Sequence, residues 1–181
     1  MKNNLSFFVG SMLVIVTSSA LSQTVVLNDS QILGIVITAN TVDIDTSKLA
    51  LKISEDKETK IFSERMVIDH LDMNKQAIVL ADKLKLPITE SDASKNIKYV
   101  GEIVITRLES LKGKQFDKAY IDNEVIDHEA LLDNLDKTLI PNAQMTELKE
   151  ALVKFRQSAA AHLEHAKFIQ SVVKSDKFLP P

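Results

Sequence analysis

The chain has no cysteine and no tryptophan, and only four glycines and four prolines occur among its 181 residues. The absence of cysteine excludes disulfide bonds, thiolate ligands and a lipid anchor on a cysteine. Because glycine and proline are rare, long segments rich in helix formers run without interruption, which favours an all-α protein. There is no glycine-rich phosphate loop, and a catalytic serine triad would need an elbow or strand context that is missing. The sequence therefore singles out no catalytic residue.

An excess of charge of one sign is also absent. The 22 basic and 25 acidic residues give a formal net charge of −3 at pH 7. A chain that is not basic argues against nucleic acid as a partner. Beyond the N-terminal segment no apolar run approaches the about 20 residues that a membrane span needs, so we expect no transmembrane span in the mature chain. The sequence identifies no protein partner.

The first 22 residues have the layout of a secretory signal peptide. Lys2 supplies a short basic region, and residues 5–16 are mostly apolar but too few to cross a bilayer. Ala20 and Ser22 are the small residues of a cleavage site, which would make Gln23 the new N-terminus. We therefore expect residues 1–22 to be a cleaved signal peptide and the mature protein to be periplasmic or secreted.

Apolar residues recur at alternating spacings of three and four along the mature chain, a pattern that predicts amphipathic helices. The predicted helices cover about residues 29–54, 57–86, 91–112, 115–140 and 142–174. Pro87 and Pro141 close the second and fourth of them. We expect one domain over residues 29–174, an up-down four-helix bundle with a shorter crossover helix between the second and third long helices. Residues 175–181 are expected to form a loose C-terminal tail.

Three of the four histidines occupy positions in the predicted buried stripes, namely His70, His128 and His162. The tetrapeptide Val-Ile-Asp-His occurs twice, at 67–70 and 125–128. If the crossover helix runs back along the bundle, these two histidines lie at matching heights. An imidazole nitrogen buried without a partner costs about 1–3 kcal/mol, so something must satisfy these rings.

One interpretation is a metal site, because imidazole and carboxylate together suit Fe, Mn, Zn or Cu. We expect a single transition-metal ion in that case. The residues of the predicted site fall into two groups. The candidate ligands are His70, His128, His162, Asp43 and Glu124, and the supporting residues around them are Asp69, Asp127 and His165.

The alternative is a hydrogen-bonded network that fixes the register of the helices without metal. The two interpretations lead to two functions. In the first, the protein binds a transition metal and serves metal handling or the envelope stress response. In the second, it is a structural or interaction module without catalytic activity, and its functional surface lies elsewhere.

The order and spacing of a larger set of residues resemble the bacterial domain of unknown function 4142 family, over about residues 29–173. The residues that carry the resemblance are Phe62, Met66-Val67, Asp69-His70, Asn74, Leu80-Ala81, Leu86-Pro87, Leu111, Gly113, Phe116-Asp117, Tyr120, Asp127-His128, His162-Leu163 and Ala166. Asp43 stands where this family usually has an acidic residue in its first helix. The resemblance implies a ferritin-like four-helix bundle, exported in most members, with no established activity.

The chain departs from the ferritin-like di-iron proteins in one respect. Those proteins carry a Glu-x-x-His motif on each of two helices. Here the residues three before the histidines are Val67, Val125, Ala159 and His162. A single ion with a histidine-rich shell is therefore expected in place of a di-iron centre.

Overall fold

The structure, a computed structural model, describes residues 26–175, with side chains up to residue 172, and this part of the chain contains helices and no strand. The predicted signal peptide and all but the first residue of the predicted tail lie outside the described residues. The helices are α1 (Asp29–Ile53), α2 (Lys57–Leu84), α3 (Asp92–Glu109), α4 (Gly113–Asn134), α5 (Ile140–Asn142) and α6 (Thr146–Ser175), and a π-helical turn, Leu135–Leu139, joins α4 to α5. The prediction of four long helices and a shorter crossover helix is confirmed.

The first two helices are each capped by a short polar side chain, because the first backbone N–H groups of a helix need an acceptor. Asn28 accepts a hydrogen bond from the backbone N–H of Gln31 at 2.9 Å, and the Gln31 side chain accepts one from Asn28 in return. Asp56 caps α2 in a similar way through the backbone N–H of Thr59. The cap of α1 is thus Asn28.

The Asp29 carboxylate joins the start of α1 to a distant part of the chain. It accepts hydrogen bonds from the backbone N–H groups of Gln144 and Met145, at 2.8 and 2.9 Å. These bonds tie the start of α1 to the loop that precedes α6. One end of the bundle is closed by this contact between distant parts of the chain.

Two apolar clusters fill the two ends of the bundle. The first joins the start of α1 and of α6 to the end of α2 and the π-helical turn, and includes Leu33, Ala81, Leu135 and Leu148. The second joins the end of α1 and of α6 to the start of α2 and of α4, and includes Ala50, Phe62, Phe116 and Ile169. The helices therefore alternate in direction along the chain, and α2 runs parallel to α4.

Two glycines allow close approaches to α1. A Cβ on Gly34 would lie 2.1 Å from the carbonyl oxygen of Thr89, in the loop between α2 and α3. A Cβ on Gly101 of α3 would lie 2.7 Å from the methyl groups of Val42. Only a residue without a side chain fits at either contact, so these positions seat the crossover on α1.

The fourth predicted helix, residues 115–140, is interrupted where the sequence indicated one regular element. After Asn134 the backbone forms the π-helical turn and continues as α5, which contains Pro141. Proline has no N–H to donate to the carbonyl four residues earlier, so a regular helix cannot continue unchanged through this point.

Within the described residues no helix is both long and apolar enough to cross a membrane.

Candidate metal centre

A layer of buried polar side chains lies between the two apolar clusters. His70 of α2, His128 of α4 and His162 of α6 meet there, and each ring is at most 1% exposed. The ring centroids are 5.3 Å apart for His70 and His162, 5.6 Å for His128 and His162, and 6.0 Å for His70 and His128. One ligand nitrogen from each ring lies within 4.8 Å of the other two. We call these three residues the histidine triad.

The triad follows from the directions of the helices. His70 and His128 lie at the same height because α2 and α4 run parallel, as the repeated Val-Ile-Asp-His predicted. His162 reaches that height from α6, between the buried residues Ala159 and Ala166. Three helices thus contribute one imidazole each, and α1 faces them from the fourth side with Asn40, which is fully buried.

Each triad ring uses one nitrogen in a hydrogen bond to a neighbouring oxygen. Nδ1 of His70 lies 2.9 Å from Oδ1 of Asn40. Nδ1 of His128 lies 2.9 Å from the backbone carbonyl oxygen of Glu124. Nε2 of His162 lies 2.8 Å from Oδ2 of Asp69. Since these oxygens accept and do not donate, the bonded nitrogens carry the ring protons and donate.

The second nitrogen of each triad ring has no hydrogen-bond partner among the described residues. These atoms are Nε2 of His70, Nε2 of His128 and Nδ1 of His162. In the tautomers fixed by the first bonds, each of them carries a lone pair. Three neighbouring buried rings, each with a lone pair that has no donor among the described residues, are an arrangement that a cation satisfies.

Burial keeps the triad neutral. Desolvation, reinforced by the neighbouring His162 and His128, lowers the pKa of His70 from 6.5 to about 2. Desolvation and the proximity of His162 lower the pKa of His128 to about 4. Desolvation also lowers the pKa of His162, although its bond to Asp69 acts in the opposite direction. All three rings are therefore unprotonated at neutral pH, the state that a metal ion requires of an imidazole ligand.

A relay of amides holds Asn40 in position. Its Nδ2 donates to Oδ1 of Asn74 at 2.9 Å, which directs Oδ1 of Asn40 towards His70. Nδ2 of Asn74 in turn donates to the hydroxyl of Thr41 at 3.4 Å. Asn40 stands at a stripe position in α1, so its inward direction was visible in the sequence. The part played by Asn74 was not, because that residue lies beside the stripe of α2.

The two carboxylates predicted as ligands, Asp43 and Glu124, lie near triad nitrogens that are already hydrogen-bonded. Oδ2 of Asp43 lies 3.6 Å from Nδ1 of His70, and Oε2 of Glu124 lies 3.7 Å from Nδ1 of His128. Neither joins the group of nitrogens that could share one ion. Burial, together with the charge of a neighbouring carboxylate, raises the pKa of both groups well above the usual range.

The supporting residues take different positions. Asp69 binds His162 and also accepts a hydrogen bond from Arg65. Burial alone would raise the pKa of Asp69, but these two hydrogen bonds lower it. Asp127, its counterpart in the repeat, accepts from Nδ2 of Asn123 at 2.6 Å and not from a histidine. His165 packs edge-on against Phe62, with the ring centroids 5.2 Å apart, and lies outside the triad.

The dimensions of the triad fit one ion after a small contraction. Nitrogens bound to a single ion at about 2.0–2.1 Å lie about 3.5 Å from one another. The ligand nitrogens of the triad are separated by up to 4.8 Å. An inward movement of each ring by less than about 1 Å brings them to that spacing. The donor set therefore fits a transition metal with three imidazole ligands.

The fold and the layer of inward-facing side chains define a ferritin-like helical bundle. Two solved structures share it. A DUF305 protein from Streptomyces coelicolor matches with a TM-score of 0.67 and 13% identity, over 80% of this chain and 92% of that one. CopM in its Cu(II)-bound form matches with a TM-score of 0.63 and 15% identity, over 80% of this chain and 97% of that one.

The sequence assigns the family. The family model described as "Domain of unknown function (DUF4142)" matches residues 16–169, and the chain belongs to this family. The resemblance found in the sequence is thereby confirmed. No curated protein matches the sequence.

Proposed function

We propose that the protein binds one transition-metal ion through His70, His128 and His162 and serves in metal handling. One observation carries the proposal. Each of the three buried rings has one nitrogen oriented by a hydrogen bond and a second nitrogen without a partner among the described residues. Orienting bonds of this kind, from the far nitrogen of an imidazole to an oxygen, are typical of metal-bound histidines.

Copper is the ion that we expect to bind most tightly. Imidazole ligands suit copper, and Cu²⁺ stands at the top of the affinity order of the divalent first-row metals. CopM, which shares the fold, is described with Cu(II) bound. Iron, manganese and zinc are the competitors that an affinity series should include.

The number of ligands favours a site that exchanges its ion. Structural zinc sites are closed by four protein ligands, whereas sites that react or exchange keep a position open. The triad supplies three nitrogens, and no carboxylate of the described residues joins the group. Asp43 and Glu124 lie beside the triad and are not part of it. The triad alone is the ligand set that we propose.

Export completes the proposal. The first 22 residues have the basic, apolar and small-residue regions of a signal peptide, in that order. Cleavage there would leave the bundle in the periplasm or outside the cell. A metal-handling role in the cell envelope is consistent with that location.

The alternative, a register-fixing hydrogen-bond network, accounts for one nitrogen of each ring but not for the other. In a complete network the second nitrogens would also have partners, because a buried acceptor without one costs about 1–3 kcal/mol. Metal binding gives those three atoms a common partner. This difference favours the metal-binding function.

The first test is the metal content and the binding stoichiometry of the mature protein. We expect one ion per chain, both in protein purified from its native compartment and in apoprotein titrated with Cu²⁺. His128→Phe should abolish this binding. His165→Ala is the matched control, since it removes a histidine next to the triad that is not part of it. Absence of metal in the wild type, or equal loss in both variants, would contradict the proposal.

A further inference from the structure

Two cavities flank the layer that contains the triad. The larger, about 630 Å³, is a groove between α2 and α6, and Asp69 is the residue of the metal centre that lines it. The smaller, about 220 Å³, lies between α1, α3 and α4, and its lining includes Asp43, Asp127 and His128. We call them the α2–α6 groove and the α3–α4 slot. Of the two, only the slot has a triad ring in its wall.

The slot exists because of how α3 is seated. Gly101 lets α3 lie directly against Val42 of α1, so α3 packs closely on α1 along this side. Small residues leave room on the remaining sides, with Ala39 on α1 and Ala130 on α4. The result is a space beside the bundle axis, much larger than the about 10–15 Å³ that a single water needs.

The polar side chains that line the slot differ in their exposure. Asn96 of α3 is exposed and Asn134 of α4 is half-buried. Asp127 is half-buried, whereas Asp43 and His128 are buried. The remaining lining is largely apolar. The wall of the slot thus carries amide and carboxylate oxygens and one imidazole, and Asp43 and His128 are the buried members.

Such a set of oxygen and nitrogen atoms suits a transition-metal ion that loses its water. Bringing a bare ion into an apolar space is prohibitive, because an unpaired charge loses its solvation there. Oxygen ligands along the wall replace waters one by one. The ring at the end of the slot, His128, has its Nε2 without a partner, and that atom belongs to a residue that is 99% buried.

We propose that the α3–α4 slot is the entry and exit route of the metal ion, with Asp127 and Asp43 as transient oxygen ligands and His128 as the first triad residue to bind. The route rests on the proposed function, since it presupposes that the triad holds the ion. The α2–α6 groove is the competing route. It leads to Asp69, whose Oδ2 is hydrogen-bonded to His162 and Arg65, and no triad ring lines it.

The test compares rates with affinities. Ala130→Phe fills the slot from α4 at an exposed position, and Ala151→Phe does the same in the α2–α6 groove from a half-buried one. Cu²⁺ uptake by the apoprotein is followed by stopped-flow quenching of tyrosine fluorescence, which the absence of tryptophan makes possible. Release to a chelator gives the reverse rate, and titration gives the equilibrium Kd.

Obstruction of a route slows both directions equally. We expect Ala130→Phe to lower the rates of uptake and release by roughly tenfold each, with Kd unchanged within about twofold. Asn96→Phe narrows the same slot from α3 and should also lower the rates of uptake and release. Agreement between the two variants would show that the effect comes from the slot and not from a change local to Ala130. Ala151→Phe should leave both rates at the wild-type values.

Two results would overturn the route. Slower exchange in Ala151→Phe alone would place the path in the α2–α6 groove, and unchanged rates in all three variants would mean that the ion passes between the helices elsewhere. A wild-type chain that binds no Cu²⁺ at equilibrium would overturn the proposed function and the route together. The rates of uptake and release therefore test the route, whereas the equilibrium Kd tests whether the triad binds the ion.

Discussion

Three ring protons decide what the histidine triad can bind. Each is held away from the centre by an oxygen that only accepts, from Asn40, from the backbone of Glu124 and from Asp69. If one proton moved to the inner nitrogen, that ring would no longer be a ligand. The acceptors are therefore as important for binding as the imidazoles themselves.

Asp69→Asn tests this dependence. The amide can donate to Nε2 of His162, and the ring proton would then lie on Nδ1, where the ion should bind. We expect the affinity for Cu²⁺ to fall by about 10–100-fold, measured by competition with a chelator, with little loss of stability. Asp72→Asn is the matched control, since Asp72 is exposed on the same helix and contacts Gln76. Equal affinities of the two variants would contradict the assigned tautomer.

Glu124 is a second residue with a specific expectation. Its carboxyl is fully buried, and burial, reinforced by the neighbouring Asp43, raises its pKa well above the ordinary value. As the pH rises above the ordinary value of 4.5, the unfolded chain releases this proton while the folded chain keeps it. Stability of the apoprotein is therefore lost with increasing pH.

We expect Glu124→Gln to increase the free energy of unfolding of the apoprotein at pH 7. The gain should disappear below about pH 4, where both states of the wild type are protonated. Urea unfolding at a series of pH values measures both effects. Glu129→Gln, on the exposed side of α4, is the control and should change stability little. The stability of Glu124→Gln is compared with that of the wild type at each pH. If the variant loses more stability relative to the wild type at pH 7 than at pH 4, the raised pKa of Glu124 is refuted.

The sequence predicted the triad residues and Asp69 as a supporting residue, but not which partner each ring has. His70, His128 and His162 stood at stripe positions, where helical periodicity alone places them inside. The acceptor of His128 is a backbone carbonyl, and no residue type encodes that choice. Asp69 and Asp127 hold the same place in a repeated tetrapeptide, yet only Asp69 faces a histidine. Which of the two does so depends on the rotation of each helix, which a sequence pattern does not specify.

At the scale of the helices, the contacts of α1 decide where the other elements lie. It packs against α2 and also against the crossover α3, so its buried face is wider than one stripe. Ala50 is fully buried and Leu51 is 36% exposed, although a spacing of three and four residues from Ile44 through Ser47 would place Leu51 inside. A regular spacing of three and four assumes one buried face. It fails for a helix that is covered from two sides.

Gly34→Ala should show how closely the crossover loop approaches α1. In an ordinary helix interior this substitution stabilises by about 0.5–1 kcal/mol. Here the new Cβ would lie 2.1 Å from the carbonyl oxygen of Thr89, which belongs to the backbone and cannot rotate away. We expect a loss of about 1–3 kcal/mol in urea unfolding.

Gly113→Ala provides the comparison for that loss. Gly113 has a φ of +52° but no atom within 4 Å of an added Cβ, so backbone strain is its only penalty. That strain costs about 1–2 kcal/mol. If Gly34→Ala proves neutral or stabilising while Gly113→Ala is destabilising, the carbonyl oxygen of Thr89 does not lie as close to Gly34 as described here.

At the scale of the whole molecule, a polar layer divides the apolar interior into two clusters. An ion that binds this layer joins α2, α4 and α6 through one atom each. Because the unfolded chain lacks the preformed site, the binding energy adds to the folding energy. The apoprotein should therefore be the less stable form, with the layer as its weakest part.

Addition of Cu²⁺ at 100 times Kd should stabilise the fold by about 2.7 kcal/mol. For a domain of this size that corresponds to a rise in Tm of roughly 5–10 °C in calorimetry. His165→Ala should show the same rise, and His128→Phe should show none. A rise of equal size in His128→Phe would mean that the stabilising ion binds elsewhere.

The most direct test of the triad as a metal centre is anomalous diffraction from crystals of the copper-loaded protein. One anomalous peak is expected in the layer between the two apolar clusters, about 2.0–2.2 Å from Nε2 of His70, Nε2 of His128 and Nδ1 of His162. A peak at surface residues, or one bound through the opposite nitrogens of these rings, would contradict the site.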